Sequence, residues 1–183
     1  MTHVTYVGLL RGVNVGRSTR VAMADLRALV GQLGYRGVRT VLNSGNVVFD
    51  GPRASAARVA GQLEAALARH LGVPVTVVVL TAQELADAIA ANPLVKVASN
   101  PSRLVLAVPS NPKDLVRLNP LIEEDWSPEA LAAGPRAAYF WCPGGFIDSP
   151  VAEAVRRAFG DAVTMRNWAT VGKLLTLSAK TRA

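Results

Sequence analysis

Apolar residues recur at two different periods along the chain, and the switching between those periods predicts the elements. His3 to Leu10 is rich in Val, Tyr and Leu and reads as a strand. Leu26, Leu29, Val30 and Leu33 fall at i, i+3, i+4 and i+7, which predicts a helix from Met23 to Leu33 stopped by Gly34. Val38 to Leu42 and Asn46 to Phe49 are short β-type runs joined by a Ser-Gly turn, a hairpin signal. Ser55 can cap a second helix whose apolar stripe is Val59, Leu63, Leu67 and Leu71, with Gly72 and Pro74 at its end. Val75 to Leu80 is a fourth strand. The order is βαββαβ, the split βαβ pattern of ferredoxin-like folds.

Thr81-Ala82-Gln83-Glu84 then reads as a capping box that opens a helix to about Ala91, and Asn92-Pro93 breaks it. The remainder repeats the same order more loosely. Leu104 to Val108 is a strand, and Asn111-Pro112 starts a short helix. A long connection from Asn119 to Arg136 carries the acidic run Glu123-Glu124-Asp125. Ala137 to Cys142 and Phe146 to Asp148 read as a second hairpin around Pro143-Gly144-Gly145. Ser149-Pro150 opens a helix ending at Phe159-Gly160, Ala162 to Met165 is a last strand, and Asn167 to Leu177 a final helix. The expected architecture is α+β: a ferredoxin-like unit over residues 1–80, and a second, more irregular ferredoxin-like unit with a C-terminal helix over residues 81–183.

This topology selects one candidate site. In a βαββαβ sheet the strand order is 4-1-3-2, so the end of strand one lies on the same edge as the turn joining strands two and three. Arg11-Gly12-Val13-Asn14-Val15-Gly16-Arg17 and Asn43-Ser44-Gly45-Asn46 become neighbours. Residues 11–22 also form a long connection where βα loops usually run about 2–6 residues. Arg11 and Arg17 would neutralise an anion, Gly12 and Gly16 permit positive φ and inward N–H groups, and Asn14, Ser44 and Asn46 would orient the ligand. The structural alternative is an ordered loop whose Asn side chains bond to backbone. Arg166, Asn167 and Lys173 offer a second anion site at the start of the last helix. There the alternative is a capped helix, with Asn167 as N-cap and Trp168 packed between the halves.

Four segments together resemble the family numbered 1697 among domains of unknown function, DUF1697. They are Leu9–Gly16, Met23–Arg27, Ser44–Phe49 and Arg166–Leu174, in the family's order and spanning most of the chain. The chain departs from the family pattern at Arg17, where a second Gly is usual, and at Asp148-Ser149-Pro150, where a basic residue is common. The resemblance implies a ferredoxin-like N-terminal part and carries no activity with it.

Composition narrows the chemistry. One cysteine excludes an internal disulfide and a multi-thiolate metal site. Two histidines without paired spacing give no metal centre, and no cofactor is expected. Cys142 lacks a base placed by sequence, because His3 lies near the terminus and His70 at a helix end. Glu123-Glu124-Asp125 reads as a solvated face. No Rossmann or P-loop fingerprint is present. Val77 to Leu80 and the other apolar runs are too short to cross a bilayer, and the N-terminus lacks a signal peptide's layout, so a soluble cytoplasmic protein is expected.

The formal charge is +7. Residues 1–50 carry six Arg against two Asp, and residues 151–183 six basic against two acidic residues. Such ends suit an anionic partner, or reflect an arginine-rich bacterial genome. The expected role is non-covalent binding of an anionic, phosphate-bearing ligand. The alternatives are an enzyme acting on a small anion, a nucleic-acid binder, and an interaction or oligomer-forming unit. The nucleic-acid reading is the thinner one, because Tyr6 and Phe49 are the only aromatics on the candidate strands of the first unit and the Lys/Arg-Gly-Phe/Tyr motif is missing.

Overall fold

The central strand of the first sheet is β1 (His3–Leu10). It pairs antiparallel with β3 (Asn46–Pro52) on one side and β4 (Val77–Thr81) on the other. With β2 (Arg36–Val41) at the edge, the order is β2-β3-β1-β4. The crossover helices are α1 (Met23–Gln32) and α2 (Ala56–Leu71), so the βαββαβ expectation holds element by element. The computed structural model describes residues 3–14, 19–72 and 74–179.

Tyr6, Leu10, Val47, Phe49, Val77 and Val79 share a core with Leu26, Leu29 and Val30 of α1 and Val59, Leu63 and Leu67 of α2. The residues between them on the strands, Val7, Leu9, Val48, Val78 and Leu80, are buried as well. Burial of both faces explains why these strands read as continuous apolar runs. Each such Val or Leu contributes about 1.5–3 kcal/mol relative to exposure. Helix ends follow the sequence signals. Ser55 Oγ accepts from Arg58 N at 3.3 Å, and Gly72 closes α2 in the left-handed region at φ 66°.

By its internal contacts the chain divides into two compact units, Met1–Leu85 with Lys173–Ala183, and Ala86–Gly172. The division falls within α3 (Ala82–Ala90) and α6 (Trp168–Ala179). At the start of α3, Thr81 N donates to Glu84 Oε2 at 2.7 Å and Glu84 N to Thr81 Oγ1 at 3.1 Å, the reciprocal bonds of a capping box.

The second unit repeats the topology of the first. Its strands are β5 (Leu104–Pro109), β6 (Ala130–Ala133), β7 (Ala138–Trp141) and β8 (Val163–Asn167), in the order β6-β7-β5-β8. A 3₁₀ helix over Pro112–Leu118 continues into the short α4 (Asn119–Ile122), and α5 (Pro150–Phe159) is the second crossover. The second hairpin differs from the one expected. The partner of β7 is β6, inside the stretch read as a long connection, and Phe146 to Asp148 is not a strand. Gly134 N donates to Ala137 O at 2.8 Å and closes the true hairpin, while Gly145 N donates to Cys142 O at 2.9 Å and turns the chain out of β7. Ile147, counted as strand for its β propensity, is 85% exposed.

Candidate functional site

The end of β1 and the β2–β3 turn meet as the topology requires. Leu10 N donates to Gly45 O at 2.8 Å, and Arg11 N to Thr76 O at 2.9 Å. Gly45 has φ 72°, and a Cβ there would stand 2.7 Å from Leu10 Cβ, so the turn needs glycine for conformation and for space. Val13 is buried in the first core, which draws the loop inward.

Asn14 does most of the joining. Its Nδ2 donates to Val21 O and to Asn43 O, both at 2.7 Å, and its Oδ1 accepts from Val21 N at 2.9 Å. It adopts φ 56°, a left-handed conformation that Asn tolerates better than most residues. Both amide hydrogens of Asn14 are therefore taken by backbone carbonyls. Asn46 is fully buried, and its Nδ2 donates to Val41 O and Ser44 Oγ, each at 2.9 Å. The Asn side chains thus hold the loops, and half-buried Arg11 and exposed Gly12 (φ 66°) follow directly on β1 beside them. Gly16 and Arg17 lie outside the described residues.

Arg166 and Asn167 both bond to neighbours in their own segment. Arg166 Nη1 donates to Thr164 Oγ1 and to Met165 O, each at 2.9 Å, and desolvation lowers its pKa to about 10, which leaves it charged at neutral pH. Asn167 Oδ1 accepts from Thr170 N at 2.9 Å and caps α6. Lys173, further along α6, is exposed.

Cys142 belongs to a bonded chain that superficially resembles a nucleophile with its relay. Its Sγ donates to Ser149 Oγ at 3.1 Å, and Ser149 Oγ donates to Glu129 Oε2 at 3.0 Å. The same Ser149 and Glu129 oxygens accept from Ala152 N and Val151 N, each at 3.0 Å. The group caps α5. Cys142 has no exposed surface, and burial pushes its thiol up to about 11, the opposite of an activated nucleophile. The acidic run Glu123-Glu124-Asp125 is exposed, and no group of three or more His, Cys, Asp or Glu placed to hold a metal occurs among the described residues. Tyr6 and Phe49 stack at 5.6 Å with no exposed surface, so neither offers a ring to a nucleic-acid base.

A concave feature lies at the other end of the same sheet. A cleft of about 1150 Å³ is lined by His3 and Thr5 of β1, Arg36 of β2, Asp50 of β3, Arg53 and Ser55 ahead of α2, and Thr81 to Glu84. No motif announces it, because its residues come from separate segments without common spacing. The available signal is the topology: the starts of β1 and β2 share an edge with the ends of β3 and β4.

A family model described as "Protein of unknown function (DUF1697)" matches residues 3–139. A solved structure described as a conserved bacterial protein, SP0830 from Streptococcus pneumoniae, superposes with a TM-score of 0.79 at 22% identity, covering 97% of this chain and 99% of that one. At that identity the likeness establishes a shared fold. No curated protein matches the chain.

Proposed function

The chain belongs to the DUF1697 family, and from its own residues we propose that it is a non-covalent binding module for an anionic, phosphate-bearing ligand seated at the end of β1. Arg11 supplies the charge and the Gly12 backbone supplies its N–H. The observation that carries the reading is the pair of 2.7 Å bonds from Asn14 to Val21 and Asn43. They tie the long βα loop to the hairpin turn and set Arg11-Gly12 on a braced platform. A braced site loses less conformational entropy when it captures a ligand. In this reading Asn14 and Asn46 are posts, and Arg11 and Gly12 meet the anion. Gly16 and Arg17 belong with them by sequence. A cytoplasmic setting accords with a chain whose one cysteine cannot form an internal disulfide.

The test is a thermal-shift titration with inorganic phosphate, pyrophosphate and nucleoside monophosphates, on the native protein and on Arg11→Ala. Binding adds about 2.7 kcal/mol at a hundredfold excess over Kd, a readily measured rise in Tm. The expected result is a rise that Arg11→Ala abolishes. An equal rise in the folded variant places the site elsewhere.

A further inference from the structure

The cleft at the other end of the first sheet carries its own chemistry, independent of Arg11. β1 is eight residues long, which separates the two places by roughly 25 Å at about 3.3 Å per residue. Arg36 and Asp50 are direct partners across the β2–β3 ladder. Opposite charges so placed ordinarily attract each other. Here the side chains stay apart. Among the described residues the guanidiniums of Arg36 and Arg53 have no ion-pair or hydrogen-bond partner, and the Asp50 carboxylate takes one bond, from Thr5 Oγ1 at 2.8 Å. Asp50 is half-buried, so its charge is partly desolvated without a cation beside it. The cleft therefore presents both signs of charge, separated and uncompensated, around a volume large enough for a small molecule.

We propose that this cleft binds a small zwitterion, a molecule with a carboxylate and an ammonium group: a free α-amino acid or a di- or tripeptide. The carboxylate is received by Arg53, immediately ahead of α2, with Arg36 as the second cation. The ammonium is received by Asp50, whose remaining lone pairs accept its hydrogens. Gln83 and Thr81 line the same cleft and can serve the peptide groups of a longer ligand. A phosphate would find Asp50 and Glu84 opposed to it, whereas a zwitterion matches both signs.

The experiment is amide chemical-shift titration of the full-length protein with trialanine, using alanine, N-acetyl-trialanine, trialanine amide and sodium acetate as companion probes. Trialanine is expected to move the amides of Thr5, Asp50, Arg53 and Ala56 with a millimolar Kd. Blocking either end should weaken binding about tenfold, the loss of one charge-assisted contact. Arg53→Gln, checked as folded by its own spectrum, should bind trialanine and its amide equally. Binding of alanine as tight as trialanine identifies free amino acids as the ligand class, and tighter trialanine identifies peptides. No movement of these amides up to about 50 mM, far above a millimolar Kd, overturns the proposal. So does equal binding of blocked and unblocked probes, or acetate acting as well as trialanine. The titration is independent of the phosphate seat, whose reporters are the amides of Arg11 and Gly12.

Discussion

Asn14 Nδ2 and the carbonyl of Asn43 stand 2.7 Å apart across 29 residues of sequence. That bond closes the βα loop against the β2–β3 turn, and the second amide hydrogen closes the loop on itself at Val21. One side chain therefore sets the relation between two segments that the topology merely brings near each other.

Asn14→Ala should destabilise the protein by about 2–4 kcal/mol in urea denaturation. Three hydrogen bonds at about 0.5–1.5 kcal/mol each are lost, and a Cβ without a compensating side chain remains in the left-handed region. Asn14→Gly should recover about 1 kcal/mol of that loss, because glycine adopts φ 56° without strain. A loss under about 0.5 kcal/mol for Asn14→Ala, the range of ordinary surface substitutions, would show that the bracing bonds do not form.

Thr81→Ala should cost about 1 kcal/mol, since it leaves Glu84 N uncapped at the start of α3, and Thr81→Ser should keep most of that stability. Equal stability of the Ala and Ser variants would remove the capping box.

The first unit was legible because each element carries its own punctuation: Gly34, Ser55 and Gly72 mark helix ends, and Ser44-Gly45 marks the turn. The hairpin of the second unit was not. β6 is Ala130-Leu131-Ala132-Ala133, and alanine has weak strand preference, so its conformation comes from pairing with β7 rather than from its own residues. Asn14 and Asn46 stood out in the sequence as special. The targets of their amides did not, because Asn43 O and Val41 O belong to the backbone of other segments. The cleft was illegible for a related reason: Arg36 and Asp50 become partners through register alone.

The corrected hairpin makes opposite forecasts at two apolar residues. Leu131, on β6, is 9% exposed and belongs to the second core, so Leu131→Ala should cost about 2–3 kcal/mol. Ile147 is 85% exposed, so Ile147→Lys should change stability by under about 0.5 kcal/mol. Denaturation midpoints that rank the two the other way would restore the hairpin expected from the sequence.

The buried thiol predicts a stability change with pH at the alkaline end. Burial pushes Cys142 up to about 11, whereas an unfolded cysteine titrates near 9. Between those values the unfolded chain releases its proton and the native protein keeps it. The native state binds more protons there, so stability is fully present below about pH 9 and falls as pH rises to about 11, by on the order of 2–3 kcal/mol. Cys142→Ser retains a donor for Ser149 and does not titrate in this window. Tyr139, held up to about 12 by burial, contributes equally to both proteins and cancels in the comparison. Urea denaturation of the two at pH 8, 9, 10 and 11 should give curves that run together at the acid end and separate above about pH 9, with the native protein losing more. Alkylation by iodoacetamide at pH 8 should be slow in the folded protein and fast in denaturant, since the thiolate is the reactive form. Parallel stability curves together with fast native alkylation would place Cys142 at an accessible surface and open the question of its chemistry again.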